Sequence, residues 1–222
     1  MRLAVGTELH AQALLFDMDG TLIDSRLMVE RLWKSWCEVH GVDFDYVLPR
    51  LHGVRLADSV RQFTPPGYDV AQEIRSMYDL ELRCTDGIVP INGARELLAT
   101  LPAERWTIVT SADHELARAR LAVTHITPPP NMVGGDDVAN GKPDPECYLE
   151  GARRMGCAPA HTLVFEDARA GILAGQAAGA RVIGLATGHR GEIPEGVEWL
   201  PDLSALRFVD SGPDGVRLRV VA

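Results

Sequence analysis

The chain has 222 residues, enough for one large domain or for one domain carrying a small insertion, and its 46% of apolar residues suffices to bury a substantial core. A formal net charge of −9 argues against a general binder of nucleic acid or of an anionic membrane, which presents a basic face, so an anionic substrate has to be attracted locally. No apolar run approaches the roughly 18 residues of a membrane-spanning helix, the first eight residues lack the apolar stretch of a secretory signal, and Cys37, Cys84, Cys147 and Cys157 form neither a C-x-x-C pair nor a Cys/His cluster with metal spacing. Reduced thiols in a cytoplasmic protein are the expectation.

The first element expected is a strand at Ala13-Leu14-Leu15-Phe16, running directly into Asp17-Met18-Asp19-Gly20-Thr21. Residues i and i+2 of a strand share a face, so Asp17 and Asp19 leave it close enough to share one ligand, while Gly20 lets the backbone turn. Residues 26–40 place apolar side chains near helical spacing, with Ser25 positioned to cap the helix and Gly41 to stop it. Helices follow at residues 56–63 and, beyond Thr64-Pro65-Pro66-Gly67, at about 70–84. This stretch holds helices and no strand. An inserted helical cap at residues 23–90 is therefore expected, with hinges near 22–25 and 88–92 and with residues 1–22 and 91–222 as the core.

A helix resumes near Asn92-Gly93-Ala94, and Arg105-Trp106-Thr107-Ile108-Val109 is a strand-like run ending in Thr110-Ser111. Lys142 follows in a proline-flanked loop, Thr162-Leu163-Val164-Phe165 ends in Glu166-Asp167, and a last strand falls at 181–186. Short apolar runs alternating with longer helical patterns argue for βαβ units, hence an α/β fold: a Rossmann-like, doubly wound parallel sheet with an inserted all-α cap. Ligands of such sheets bind beyond the carboxyl ends of the strands, where Asp17, Thr110 and Glu166-Asp167 all fall. The carboxylates of Asp17, Asp19, Glu166 and Asp167 would repel one another and a phosphate dianion alike, so the cluster needs positive charge. Lys142 and a hard divalent cation are the natural sources, and an all-oxygen ligand set favours magnesium over zinc. Gly141-Lys142-Pro143 is not a nucleotide loop, because proline follows the lysine and Asp136 stands where the first glycine belongs. Gly171, Gly175 and Gly179 would each cost up to about 1 kcal/mol inside a helix, which close packing of that helix on the sheet behind Glu166-Asp167 would offset. The tail after Asp210 carries no functional signal.

Taken in order, Asp17-Met18-Asp19-Gly20-Thr21, Thr110-Ser111, Lys142 in its loop and Glu166-Asp167 resemble the four motifs of the haloacid dehalogenase superfamily, over residues 11 to about 190. The resemblance implies magnesium-dependent hydrolysis of phosphomonoesters through an aspartyl phosphate. Asp17 would be the nucleophile, and Asp19 would protonate the leaving alkoxide and then take a proton from water. Thr110, Ser111 and Lys142 would bind the phosphoryl group. Metal would be held by Asp17, the Asp19 main-chain carbonyl and Asp167, with Glu166 either a direct ligand or an acceptor for metal-bound water. In the cap, His52-Gly53-Val54-Arg55 resembles a segment of the sugar- and polyol-phosphate phosphatases, the group containing 2-deoxyglucose-6-phosphate and glycerol phosphatases. This implies that His52, Arg55 and Glu30 contact a small phosphorylated sugar or polyol; a solvated turn is the plainer alternative. β-Phosphoglucomutase shares core and cap, but Val29 stands where the mutase carries a histidine, which counts against phosphate return to a sugar. A non-catalytic phosphate-binding regulator would lack Asp17 or Asp19, and both are present. A monomer or weak homo-oligomer without nucleic-acid or membrane partners is the expected state.

Overall fold

The computed structural model describes residues 1–188 and 193–222, so the far limit of the motif-bearing stretch, near residue 190, lies outside the described residues. In chain order the strands are β1 (Glu8–Ala11), β2 (Ala13–Phe16), β3 (Ile23–Asp24), β4 (Val89–Pro90), β5 (Trp106–Ile108), β6 (Thr162–Glu166), β7 (Arg181–Leu185), β8 (Glu198–Leu200), β9 (Leu206–Gly212) and β10 (Gly215–Val220). The α-helices are α1 (Arg26–His40), α2 (Phe44–Val47), α3 (Leu56–Phe63), α4 (Val70–Arg83), α5 (Ala94–Leu98), α6 (His114–Val123), α7 (Glu146–Arg154) and α8 (Arg169–Ala177).

Among the described residues, five strands form a parallel sheet in the order β5-β2-β6-β7-β8. Its central strands read as unbroken apolar runs because both faces are covered. Leu14 and Phe16 enter one buried cluster with Ile108, Leu163 and Phe165, whereas Leu15 points to the other with Val109, Val164, Tyr148 and Ile172. Phe16 stacks on Phe165 with ring centroids 4.8 Å apart, locking β2 to β6. The chain passes from β2 to β5 on one side and then crosses to β6 on the other. The carboxyl end of β2 therefore opens on the crevice where the strand order reverses, the preferred ligand position of an open α/β sheet.

The helices α1 to α4 pack around an apolar cluster of their own, built on Trp33, Trp36, Val47, Val60, Phe63 and Met77. Ile23 and Asp24 pair antiparallel with Pro90 and Val89, so this helical segment leaves and rejoins the sheet through two adjacent strands. Gly41, at φ 64°, ends α1 and donates its N–H to the Cys37 carbonyl. Ser25 precedes α1 but does not cap it as its sequence position suggested; its hydroxyl instead donates to the carboxylate of Asp19.

Gly171 and Gly175 do press α8 against the sheet, since a Cβ on Gly171 would lie 1.5 Å from Glu166 Oε1 and one on Gly175 2.8 Å from Val182 Cγ2. Gly179 differs from that expectation. It lies beyond the helix at φ 83° with open space around it, where its role is the turn into β7. The tail, which carries no functional signal in the sequence, forms with the residues before it the hairpin β9–β10, which pairs with β1 in a separate antiparallel sheet. Buried Val216, Leu218 and Val220 alternate there with exposed Arg217 and Arg219, the period of a half-covered strand. All four cysteines are free, and no helix among the described residues is long and apolar enough to cross a membrane.

Candidate active site

Asp17 follows β2 directly, and its N–H donates to the Phe165 carbonyl at 3.0 Å. Its side chain is buried, with Lys142 Nζ 2.6 Å from Oδ1. The same ammonium donates to Glu166 Oε1 at 2.7 Å and to the Val109 carbonyl at 3.2 Å, so the lysine ties together the ends of β2, β5 and β6. Glu166 is completely buried and accepts further hydrogen bonds from the Tyr148 hydroxyl at 2.9 Å and the Ala168 N–H at 3.0 Å. Burial first, then the charge of Glu166, pushes Asp17 up to about 8 against the pull of Lys142. Burial alone would lower Lys142, but Asp17 and Glu166 hold it well above the ordinary lysine range.

Asp167, one residue beyond β6, is also buried, and among the described residues its Oδ1 has no hydrogen-bond partner. Asp17, Glu166 and Asp167 each offer an oxygen, and those oxygens all lie within 4.8 Å of one another. Burial, followed by Glu166 and Asp17, raises Asp167 well above the carboxylate range. The backbone makes room for this crowding: a Cβ on Gly20 would sit 2.0 Å from Asp167 Oδ2, and one on Gly188 2.7 Å from it. Among the described residues, Asp17 and Glu166 thus share one ammonium, and an orphaned hard oxygen of Asp167 is left over beside them. This donor set fits a divalent cation of the oxygen-seeking kind.

Asp19 faces a cavity of about 460 Å³ between the sheet and the helical segment, and Asp17, Thr110, Ser111 and Asp167 line its floor. One Asp19 oxygen accepts from Ser25 Oγ and the other from Arg120 Nη1 at 2.9 Å. Arg120, on α6, is buried, and its Nη2 donates to Glu81 Oε2 on α4 at 2.6 Å. Burial raises Glu81 against the pull of Arg120. The sequence reading singled out neither residue. The available signal was a charge on an apolar stripe: Arg120 falls in register with buried Leu116, Ala117 and Leu121, and Glu81 stands four residues after buried Met77.

The other candidates divide. Thr110 Oγ1 accepts from the Ala112 N–H at 3.1 Å, and Ser111 Oγ donates to the Gly53 carbonyl at 2.9 Å. His52 and Arg55 line the cavity, yet the Arg55 guanidinium is turned onto the sheet side, donating to the Val138 and Ala139 carbonyls at 3.3 and 3.1 Å and to Asp58 at 2.7 Å. Gly141 allows this, because a Cβ there would meet Arg55 Nε at 2.7 Å. Glu30 is not among the described residues lining the cavity. Arg26, Val29 and Trp33 form the stripe of α1 that faces it, and Glu30 lies a further 100° around the helix, a consequence of 3.6 residues per turn. Lys142 and Glu166 sit beneath the floor rather than on it.

A strand-end aspartate, a buried lysine beneath it and a carboxylate cluster across the sheet define a class: the chain belongs to the haloacid dehalogenase-like hydrolase family, whose pattern it matches over residues 14–185. Within that class it is 40% identical over 179 residues to hexitol phosphatase A of Escherichia coli, covering 79% of this chain and 83% of that protein. It is 29% identical over 237 residues to 2-deoxyglucose-6-phosphate phosphatase 1 of Saccharomyces cerevisiae, covering 96% of each. The fold alone is shared with β-phosphoglucomutase from Clostridium difficile, at 18% identity and a TM-score of 0.77, over 89% of this chain and 93% of that one.

Proposed function

We propose that this chain hydrolyses small sugar or polyol phosphates through an aspartyl phosphate on Asp17, with residues 23–90 as a cap over a core of residues 1–22 and 91–222. The observation that carries the reading is Asp17 itself, buried on the cavity floor at the end of β2 with Lys142 Nζ 2.6 Å away and Asp19 two residues on. An Asp17 oxygen attacks phosphorus in line, the bond from phosphorus to the ester oxygen breaks, and Asp19 gives its proton to the departing alkoxide. Water then attacks the phosphorus of the acyl phosphate and yields a proton to Asp19, restoring the Asp17 carboxylate. Ser111 and Thr110 offer donors to the phosphoryl oxygens, over which the developing charge is spread, and Lys142 adds one by releasing an acceptor among Asp17, Glu166 and the Val109 carbonyl. Ser111 reaches them by releasing the Gly53 carbonyl.

Asp17, Asp167 and the main-chain carbonyl of Asp19 would hold magnesium, which supplies charge neutralisation at the phosphoryl oxygens when bound. Glu166, already engaged by Lys142, Tyr148 and Ala168, acts by holding the lysine. The cavity volume is within the ordinary range for small-molecule sites, and the names of the two phosphatase relatives favour a hexose- or hexitol-sized phosphate. Free thiols throughout the chain are in keeping with a cytoplasmic setting. A phosphotransferase of the β-phosphoglucomutase kind is the second reading, and Val29 lining the cavity, an apolar side chain where that enzyme carries a histidine, argues against it. The test is phosphate release from hexitol, deoxyhexose, hexose, pentose and glycerol phosphates with magnesium. Release is expected from the six-carbon members; an isomerised sugar phosphate without release would establish the mutase, and inertness toward the whole panel would leave a binder.

A further inference from the structure

We propose that Arg120 is the positioning residue of Asp19, and that Glu81 makes this positioning depend on the seating of helix α4. The inference rests on the acid/base role proposed above for Asp19. Asp19 projects toward the cavity and is partly exposed, so nothing in its own packing sets the direction of its carboxylate. Two hydrogen bonds do so: Ser25 Oγ holds one oxygen and Arg120 Nη1 holds the other at 2.9 Å. Arg120 is itself immobilised, since its side chain is only 6% exposed and its second arm is tied to Glu81 at 2.6 Å. A planar guanidinium holds its two partners at a set separation, as a lysine ammonium does not. A shift of α4 relative to α6 therefore either breaks the Glu81 contact or draws Nη1 away from Asp19. The Tyr78 hydroxyl, 3.0 Å from Asp113 Oδ1 and 3.1 Å from Glu115 Oε2 at the start of α6, fastens the same two helices one turn further along.

Stability does not account for the charge. The neighbours of Arg120 on α6, Leu116, Ala117 and Leu121, make a stripe that an apolar side chain would complete, and replacing a buried arginine–carboxylate pair such as Arg120–Glu81 by apolar residues is often neutral or stabilising. Orientation of the acid does account for it. An alkoxide leaving group must be protonated as its bond to phosphorus breaks, whereas p-nitrophenolate departs without a proton. The structure thus makes Arg120 matter for the phosphorylation step with natural-type esters and not with this aryl ester. Hydrolysis of the aspartyl phosphate, which uses Asp19 as base, should depend on Arg120 for either ester.

The experiment compares Arg120→Met, Glu81→Gln and the double variant Arg120→Met/Glu81→Leu with wild type, on sorbitol 6-phosphate and on p-nitrophenyl phosphate, after a thermal melt for each protein. Because a positioned acid contributes about 10²- to 10⁴-fold, kcat/KM for the hexitol ester should fall at least about tenfold in both Arg120→Met variants. For the aryl ester kcat/KM, which reports phosphorylation alone, should fall less than about threefold, while kcat drops and a burst of p-nitrophenol appears ahead of slow dephosphorylation. The double variant leaves no unpaired buried charge, and it decides the matter if Arg120→Met alone does not fold. Glu81→Gln, nearly isosteric, should show the same selectivity more weakly and decides it if neither of the others folds. Equal loss on both esters, a change confined to KM, or an unaltered hexitol rate would each overturn the proposal. Wild-type inactivity on both esters, or an Asp19→Ala variant that keeps hexitol turnover, would instead remove the acid/base reading beneath it.

Discussion

Asp17 occupies a place where a lone carboxylate would not stay ionised: it is buried, and Glu166 and Asp167 crowd it. Lys142 offsets part of that penalty, and the ammonium in turn stays charged because it is shared between Asp17 and Glu166. Asp17→Asn is nearly isosteric and keeps an oxygen for Lys142, so the fold should survive with an unchanged circular dichroism spectrum. Phosphatase turnover should vanish, because losing a covalent nucleophile costs several orders of magnitude; residual activity above about one per cent would exclude the covalent route. Chemical class at this scale could be read from residue type, and direction could not. Glu30 and Val29 are neighbours in sequence, yet only the phase of α1 decides that Val29 faces the cavity.

Elements carry these side chains to one another, and the β6–α8 corner shows the tolerance involved. A methyl group at Gly171 would overlap Glu166 Oε1, the acceptor for both Lys142 and Tyr148, so Gly171→Ala must displace that carboxylate. Overpacking of this kind typically costs about 1–3 kcal/mol, and phosphatase activity should fall with stability. Gly175→Ala, which meets methyl groups of Val182 and Val164 and no residue of the site, should lower the melting temperature while sparing activity. A urea titration and a phosphate-release assay on the two variants separate these outcomes. Arg55 belongs at the same scale, since its guanidinium joins the start of α3 to the loop that leads to Lys142. Hydrogen bonds to a charged group are worth about 1.5–3 kcal/mol, so Arg55→Ala should reduce kcat/KM by roughly 10- to 150-fold. The loss should fall equally on a sugar phosphate and on p-nitrophenyl phosphate, because both react beneath the same seated helices. A loss confined to the sugar would place Arg55 on the substrate.

For the whole molecule, the carboxylate cluster is a store of repulsion that a bound cation would relieve. Binding to the folded chain alone stabilises it by about 2.7 kcal/mol at a hundredfold excess over Kd, which for a chain of this size corresponds to a rise in melting temperature of roughly 5 to 10 °C. Magnesium should produce that rise, EDTA should reverse it together with phosphatase activity, and Asp167→Asn should abolish both responses. A melting temperature indifferent to magnesium, with full activity after exhaustive chelation, would take the metal out of the reaction.

The amino-acid sequence by itself determined the alternation of strand and helix, the carboxylates placed at strand ends and the family pattern they compose, because strand and helix periods and turn residues are local properties of a chain. The parallel strands β2, β5, β6 and β7 and the helix α1 were legible for that reason. The β9–β10 hairpin was legible in principle through its alternation of Val and Leu with Arg, though the sequence reading passed over it. Tertiary structure alone decided the rest. Arg120 and Glu81 stand 39 residues apart, and nothing local marks them as partners; they meet because α4 comes to rest on α6. Ser25 reads as a helix cap until the chain turns its hydroxyl toward Asp19, and Arg55 reads as a substrate ligand or a solvated turn, whereas its bonds to the Val138 and Ala139 carbonyls exist only because the loop around Gly141 is brought beside it. Such contacts depend on how separately formed elements approach, a long-range property that no window of sequence contains.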